Sequence, residues 1–150
     1  WPLAILTADC LPVVVVDDVA SCVGVAHAGW RGMVAGVLQG LVNEMPVNAE
    51  NLHVWLGPAI GPNQYEIGEE VLTEFVNALG TEVAFAFESV GSFKWLADLY
   101  GLAKFIFGKI GVHQITGGSW CTVSDQERFF SHRRDGSLTG RMATVAWLEP

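Results

Sequence analysis

The sequence predicts a mixed α/β or α+β fold, a layered sandwich of mixed β-sheet with packed helices. Three observations point there. Apolar runs such as Val13–Val16 and Val83–Phe87 are strand-sized. Amphipathic stretches at helical spacing lie between such runs. The two kinds of segment interleave without a strict βαβ rhythm. No repeat, low-complexity tract or interdomain linker breaks residues 1–150, so one domain is expected.

Taken in order, Leu3–Thr7 and Val13–Asp17 read as short buried strands separated by Pro12. Asp17-Asp18 reads as a turn, and Ser21–His27 as a third strand of small and β-branched residues. After Gly29, Trp30–Met45 reads as a helix. Met33, Val34, Val37, Leu38, Leu41 and Val42 share one of its faces, and Pro46 stops it. Leu52–Leu56 is a buried strand, and Gly57-Pro58-Ala59-Ile60-Gly61-Pro62 a stiff loop. Glu69–Leu79 is an amphipathic helix with acids in its first turn, where the helix dipole favours them. Phe93–Lys109 reads as another, with Leu96, Leu99, Tyr100, Ala103 and Phe107 on one face. Gln114–Thr116 is a short strand, Gly117-Gly118 a turn and Arg141–Leu148 a closing strand.

Composition excludes several classes. The net charge of −8 opposes non-specific binding to nucleic acid or to an anionic membrane. Hydrophobic residues at 51% are too many for a disordered chain. Charged residues at 16% fall below the roughly 25% of an ordinary soluble domain, which implies that part of the surface is covered. No apolar run approaches the roughly 18 residues of a membrane helix. Trp1–Leu6 has no basic segment of a signal peptide and no initiator Met, so the chain is expected to be N-terminally incomplete. Three cysteines without a CxxC spacing suit a reducing cytoplasm.

Four places can carry chemistry. Cys10 follows a buried strand beside Asp9, at a proline-stiffened bend that suits a metal ligand better than passive packing. His27 ends the third strand among small residues; if that strand pairs with the first two, Cys10 and His27 meet. A thiolate with an imidazole suits zinc, or copper as the softer option, but a catalytic zinc wants three protein ligands. Arg31 stands at a helix start between Gly29 and Gly32, a plausible phosphate or carboxylate site. Ser131-His132-Arg133-Arg134-Asp135 and Thr139-Gly140-Arg141 hold three of the five arginines, a local positive charge suited to an anion. Each has a blander reading: a core cysteine, a structural histidine, surface charges. Cys22, His53 and His113 read as structural, Cys121 as structural or as lining the same cleft, and Tyr65-Glu66 as a pocket edge. No GxGxxG, P-loop, GxSxG or HExxH is present.

Thr7–Pro12, His27–Gly32, Leu56–Gly61 and Phe130–Asp135 with Thr139–Arg141 together resemble the bacterial laccase-like multicopper polyphenol oxidoreductases. That family is understood as zinc-dependent purine nucleoside phosphorylases that also deaminate adenosine. The motifs occur in the family's order and cover nearly the whole chain. The resemblance implies the family's mixed α/β sandwich, with Cys10 and His27 as two of three metal ligands. The third would be a histidine in a Gln-Val-His motif upstream of residue 1, so the site is expected to be incomplete. It implies cleavage of adenosine, inosine and methylthioadenosine with phosphate, and adenosine deamination. Asp9 and Arg31 are then the candidate catalytic residues, and Arg31, His132, Arg133, Arg134 and Arg141 the candidate substrate and phosphate ligands. The expected partners are purine nucleosides and phosphate, the chain acting as a monomer or homodimer. A copper-dependent polyphenol oxidase is a rival reading, although four histidines cannot build several copper centres. A non-catalytic interaction module with this fold is another.

Overall fold

The computed structural model describes residues 1–149. Its strands form three sheets. The central one is built on β2 (Leu11–Asp17), antiparallel to β3 (Val23–Ala28) on one side and to β4 (Leu52–Leu56) on the other; β8 (Gln114–Gly117) adds parallel to β4. Alternation along β4, and along β2 from Val13 onward, buries Val13, Val15, Leu52, Val54 and Leu56 on one face, and Leu11 is buried with them. That face shares a core with Leu38 and Val42 of α2 (Val37–Asn43) and with Leu102, Ile106 and Phe107 of α4 (Leu99–Lys109). No described helix is long and apolar enough to cross a membrane.

The second sheet is a ribbon of β1 (Leu3–Thr7) and β9 (Met142–Ala146), paired from Leu3↔Ala146 to Thr7↔Met142. Neither strand is continuously buried, and Leu6 and Val145 are exposed. The third sheet orders β5 (Glu66–Gly68), β7 (Lys94–Ala97) and β6 (Phe87–Gly91), with α3 (Glu69–Leu79) following β5 directly.

Five expectations need correction. Pro12 does not separate two strands; it lies inside β2, opposite His27, and its carbonyl accepts from Gly57 N–H at 2.9 Å. The helix expected over Trp30–Met45 is two, α1 (Trp30–Val34) and α2. Gly36 takes φ +85°, which only glycine adopts without strain, and its N–H caps the Met33 carbonyl. The apolar run Val83–Phe87 is mostly a 3₁₀ turn, Thr81–Ala86, and only Phe87 enters β6. The helix α4 begins at Leu99 rather than Phe93. Asp98 caps it by accepting from Gly101 N–H at 2.9 Å, and Phe93–Ala97 instead supplies a hairpin turn and β7. The third strand starts at Val23 because the Asp17 carboxylate accepts from Ser21 and Cys22 N–H (2.7 and 2.9 Å) and holds the preceding turn.

Tyr100 ties α4 to the stiff loop. Its hydroxyl accepts from Ala59 N–H at 2.8 Å and has the Trp120 and Gly57 carbonyls at 3.0 and 3.1 Å to take its proton. Tyr100→Phe leaves a buried Ala59 N–H unpaired and is expected to cost about 1–3 kcal/mol. Urea unfolding measures it; an unchanged midpoint means that the loop is held by other contacts.

Candidate functional site

Cys10 enters the site because β2 and β3 pair antiparallel. Leu11 stands opposite Ala28, so Cys10 falls across from Gly29 and beside His27. Its sulfur lies so close over Gly29 that a Cβ there would sit 2.9 Å from Sγ. Cys10 is half-buried and His27 exposed. Both line one cleft of about 380 Å³, bounded by Leu6, Trp30, Ile60 and Tyr65. Burial pushes the Cys10 thiol up, the Asp9 carboxylate adds to this, and Arg141 opposes them.

Arg31, His132, Arg133 and Arg141 line the same cleft. The Arg31 guanidinium stacks 4.3 Å from the centre of the Trp30 ring. Arg133 lies 5.5 Å over Tyr65 and donates from Nη1 to the Glu66 carbonyl at 2.9 Å. Arg141 is braced by its own loop, donating to the Thr139 and Gly140 carbonyls at 3.0 Å each. Three cations thus gather in a chain of net charge −8. Tyr65, noted in the sequence only as a pocket edge, is a wall of the cleft. Its phenol is pushed up to about 12, mainly by burial and then by Cys10, against Arg133 and Arg31.

Two expected site residues do different work. Arg134 does not face the cleft. It donates to the Thr122, Val123 and Phe129 carbonyls (2.9, 3.2 and 2.9 Å) and pairs with Asp135, so its donors are spent on holding the loop. Asp9 borders the cleft, but its carboxylate is taken up internally. Oδ1 accepts from the Thr122 hydroxyl at 2.5 Å, and Oδ2 from the Ser131 hydroxyl and Arg133 N–H at 3.0 and 2.6 Å. Thr122 escaped the sequence reading because no local motif marks it, and Ser131, although inside the marked Ser131–Asp135 cluster, was given no role of its own.

Cys121 lies away from the cleft. Its sulfur accepts from Gly61 N–H and the Ser124 hydroxyl at 3.3 Å each; burial raises its pKa, but these donors and the N–H groups of Ser124 and Val123 bring it down on balance. His53 pairs with Asp18 at 2.5 Å, far from the cleft residues in the sheet register. A larger groove of about 770 Å³ between the ribbon and the second face of the central sheet is mostly apolar, with Val14, Trp55, Trp120 and Met142 on its walls. The polar chemistry converges on the smaller cleft.

For a metal, Cys10 and His27 fit a borderline-soft ion in kind. In number they fall short: no group of three His, Cys, Asp or Glu side chains able to hold a metal lies among the described residues.

Two outcomes are expected. Gly29→Ala drives a methyl into the Cys10 sulfur and costs about 1–3 kcal/mol. In a Cys10→Ala background the methyl has room, so a thermal-melt double-mutant cycle will show most of the loss recovered; additive losses contradict the contact. The two tyrosines, both pushed from 10.0 to about 12, keep their protons in the folded state. Their stabilising effect is whole below pH 10 and is lost as pH rises through 12. Phenolate absorbance should therefore stay flat through pH 10 and rise only with unfolding or near pH 12; a normal titration at pH 10 refutes this.

Several known proteins are similar to this chain. Purine nucleoside phosphorylase YfiH of Escherichia coli (strain K12) is 48% identical over 145 residues, covering 97% of this chain and 58% of that protein. Purine nucleoside phosphorylase PA4543 of Pseudomonas aeruginosa is 46% identical, covering 97% of this chain and 60% of that one. The crystal structure of Neisseria meningitidis protein NMB0706 superposes with a TM-score of 0.96 at 46% identity, over 99% of this chain and 61% of that chain. YlmD from Geobacillus stearothermophilus gives 0.90 at 32% identity, over 96% and 56%. The chain therefore spans only part of the length of these relatives. The family described as multi-copper polyphenol oxidoreductase laccase matches residues 1–149, and the chain belongs to that family.

Proposed function

We propose that the protein is a purine nucleoside phosphorylase that cleaves adenosine, inosine and methylthioadenosine with phosphate and also deaminates adenosine. The observation that carries this reading is the convergence of Arg31, Arg133 and Arg141 on the cleft that holds Cys10 and His27. The names of the relatives support the phosphorylase half.

In phosphorolysis a phosphate oxygen bonds to C1′ of the ribose as the C1′–N bond to the purine breaks, and the base leaves with the electron pair. The phosphate is a dense anion, and the three guanidiniums are suited to neutralise and orient it. Arg31 is preorganised on Trp30 and Arg133 by Tyr65 and the Glu66 carbonyl, so little side-chain entropy is lost on binding. His132 offers a further nitrogen at the same wall. Trp30, Ile60 and Leu6 supply apolar surface for the nucleoside. Tyr65, a phenol at neutral pH, can donate a hydrogen bond without adding charge. We assign Cys10 and His27 as zinc ligands, together with a donor other than the described residues. When bound there, zinc supplies Lewis acidity, which hydrolytic deamination calls on. The acidic chain disfavours polyanionic partners, and a reducing cytoplasm keeps the thiol available.

The test is chromatography of adenosine and inosine incubated with the protein and zinc, with and without phosphate. Adenine and hypoxanthine should form only with phosphate, and inosine should form from adenosine without it. Arg133→Ala should raise the phosphate KM about tenfold or more, and Cys10→Ala should abolish zinc uptake measured by metal analysis. Phosphate-independent base release, or a copper-only protein that oxidises phenols, overturns the reading.

A further inference from the structure

Asp9 presents a contradiction within the cleft. It is a carboxylate beside three arginines in a partly desolvated space, yet none of Arg31, Arg133 and Arg141 forms an ion pair among the described residues. A free carboxylate there would be expected to draw a guanidinium onto itself and occupy the positive charge that an incoming anion needs. What keeps Asp9 apart is visible. Thr122 and Ser131, each 0% exposed, point their hydroxyls at its two oxygens at 2.5 and 3.0 Å, and the Arg133 N–H takes the second oxygen at 2.6 Å. Ser131 also receives Arg134 N–H at 3.1 Å, which fixes the first turn of the short helix α5 (His132–Asp135) behind the cleft.

We infer that Thr122 and Ser131 are positioning residues: by hydrogen-bonding the Asp9 carboxylate they hold it off the cleft arginines and keep those guanidiniums free for an oxyanion. The inference deepens the phosphorolysis reading and rests on it for the identity of the oxyanion as phosphate. The bracket gives Arg133 a double anchoring. Its backbone is pinned to Asp9 while its guanidinium points the other way, to Tyr65 and the Glu66 carbonyl. Removing one hydroxyl frees a lone pair on a buried carboxylate, and cations without an ion pair line the same cleft.

Two readouts test this on the full chain. In the first, inorganic phosphate and inosine are titrated by calorimetry into the wild type, Thr122→Val, Thr122→Ser and Ser131→Ala. Thr122→Val and Ser131→Ala should each weaken phosphate binding about tenfold and leave inosine binding unchanged, and Thr122→Ser should restore it. The second needs no phosphate. Modification of Arg133 and Arg141 by phenylglyoxal, followed by mass spectrometry, should slow in Thr122→Val and recover in Asp9→Asn/Thr122→Val, where no charge competes. Should Thr122→Val not fold by circular dichroism, Ser131→Ala carries both readouts. Wild-type phosphate affinity and unchanged arginine modification in the hydroxyl-deleted variants overturn the bracket. A wild type that binds no phosphate but shows the expected modification pattern overturns the phosphorolysis reading and keeps the bracket.

Discussion

The chain must leave the β1–β9 ribbon and enter the central sheet within the three residues Ala8–Cys10, and that tight passage sets the geometry of everything in the cleft. Asp9 makes the turn at φ +86°, a conformation that costs a side-chain-bearing residue on the order of 1–3 kcal/mol and that its surroundings must hold in place. They do so from two sides. The Asp9 carbonyl receives Ile60 N–H at 2.9 Å, which fixes the Gly57–Pro62 loop. The carboxylate gathers donors from positions 122, 131 and 133, which fixes the last third of the chain. Three segments far apart in sequence therefore take their position from one residue, and Cys10 is delivered next to it.

This dependence explains which parts could be read from the sequence. The strand β4 and the helix α3 carry their own periodicity, because each buries one regular face, and their spans were legible, whereas β2 was legible only from Val13 onward because Pro12 masked its start. The third sheet was not. Along β6 only Phe87 is buried, so nothing alternates to mark a strand, and neighbouring Leu96 and Leu99 mimic helical spacing across the β7–α4 boundary. The break at Gly36 needed a backbone angle that a helical apolar pattern conceals. In the cleft, Cys10, His27 and Arg31 stood out because their own neighbours are unusual. Thr122 did not, and Ser131 stood in a marked cluster without a role, since the importance of both comes from a carboxylate more than a hundred positions away. Arg133 and Arg134 were indistinguishable in the sequence, and only the direction in which α5 leaves its cap sends one to the cleft and the other into the loop carbonyls.

Charge works on two length scales here. At long range the chain carries a net −8 and repels an anion. At contact range the cleft offers three guanidiniums, none ion-paired among the described residues. The function proposed above draws on that combination: a compact phosphate would meet the guanidiniums at contact range, where their charge outweighs the long-range field.

The β1–β9 ribbon has a further consequence. It joins residues 3 to 7 with residues 142 to 146, so it is the longest-range pairing in the fold, and neither of its faces is fully buried. The ribbon does not stand alone, since β1 packs against β3 and β2 of the central sheet and β9 against β3. Leu6 lies on one of its strands and Arg141 immediately before the other, and both reach into the cleft. The cleft is thus shared between two sheets: the ribbon contributes an apolar wall and a cation, and the central sheet contributes His27 together with Cys10 at its edge.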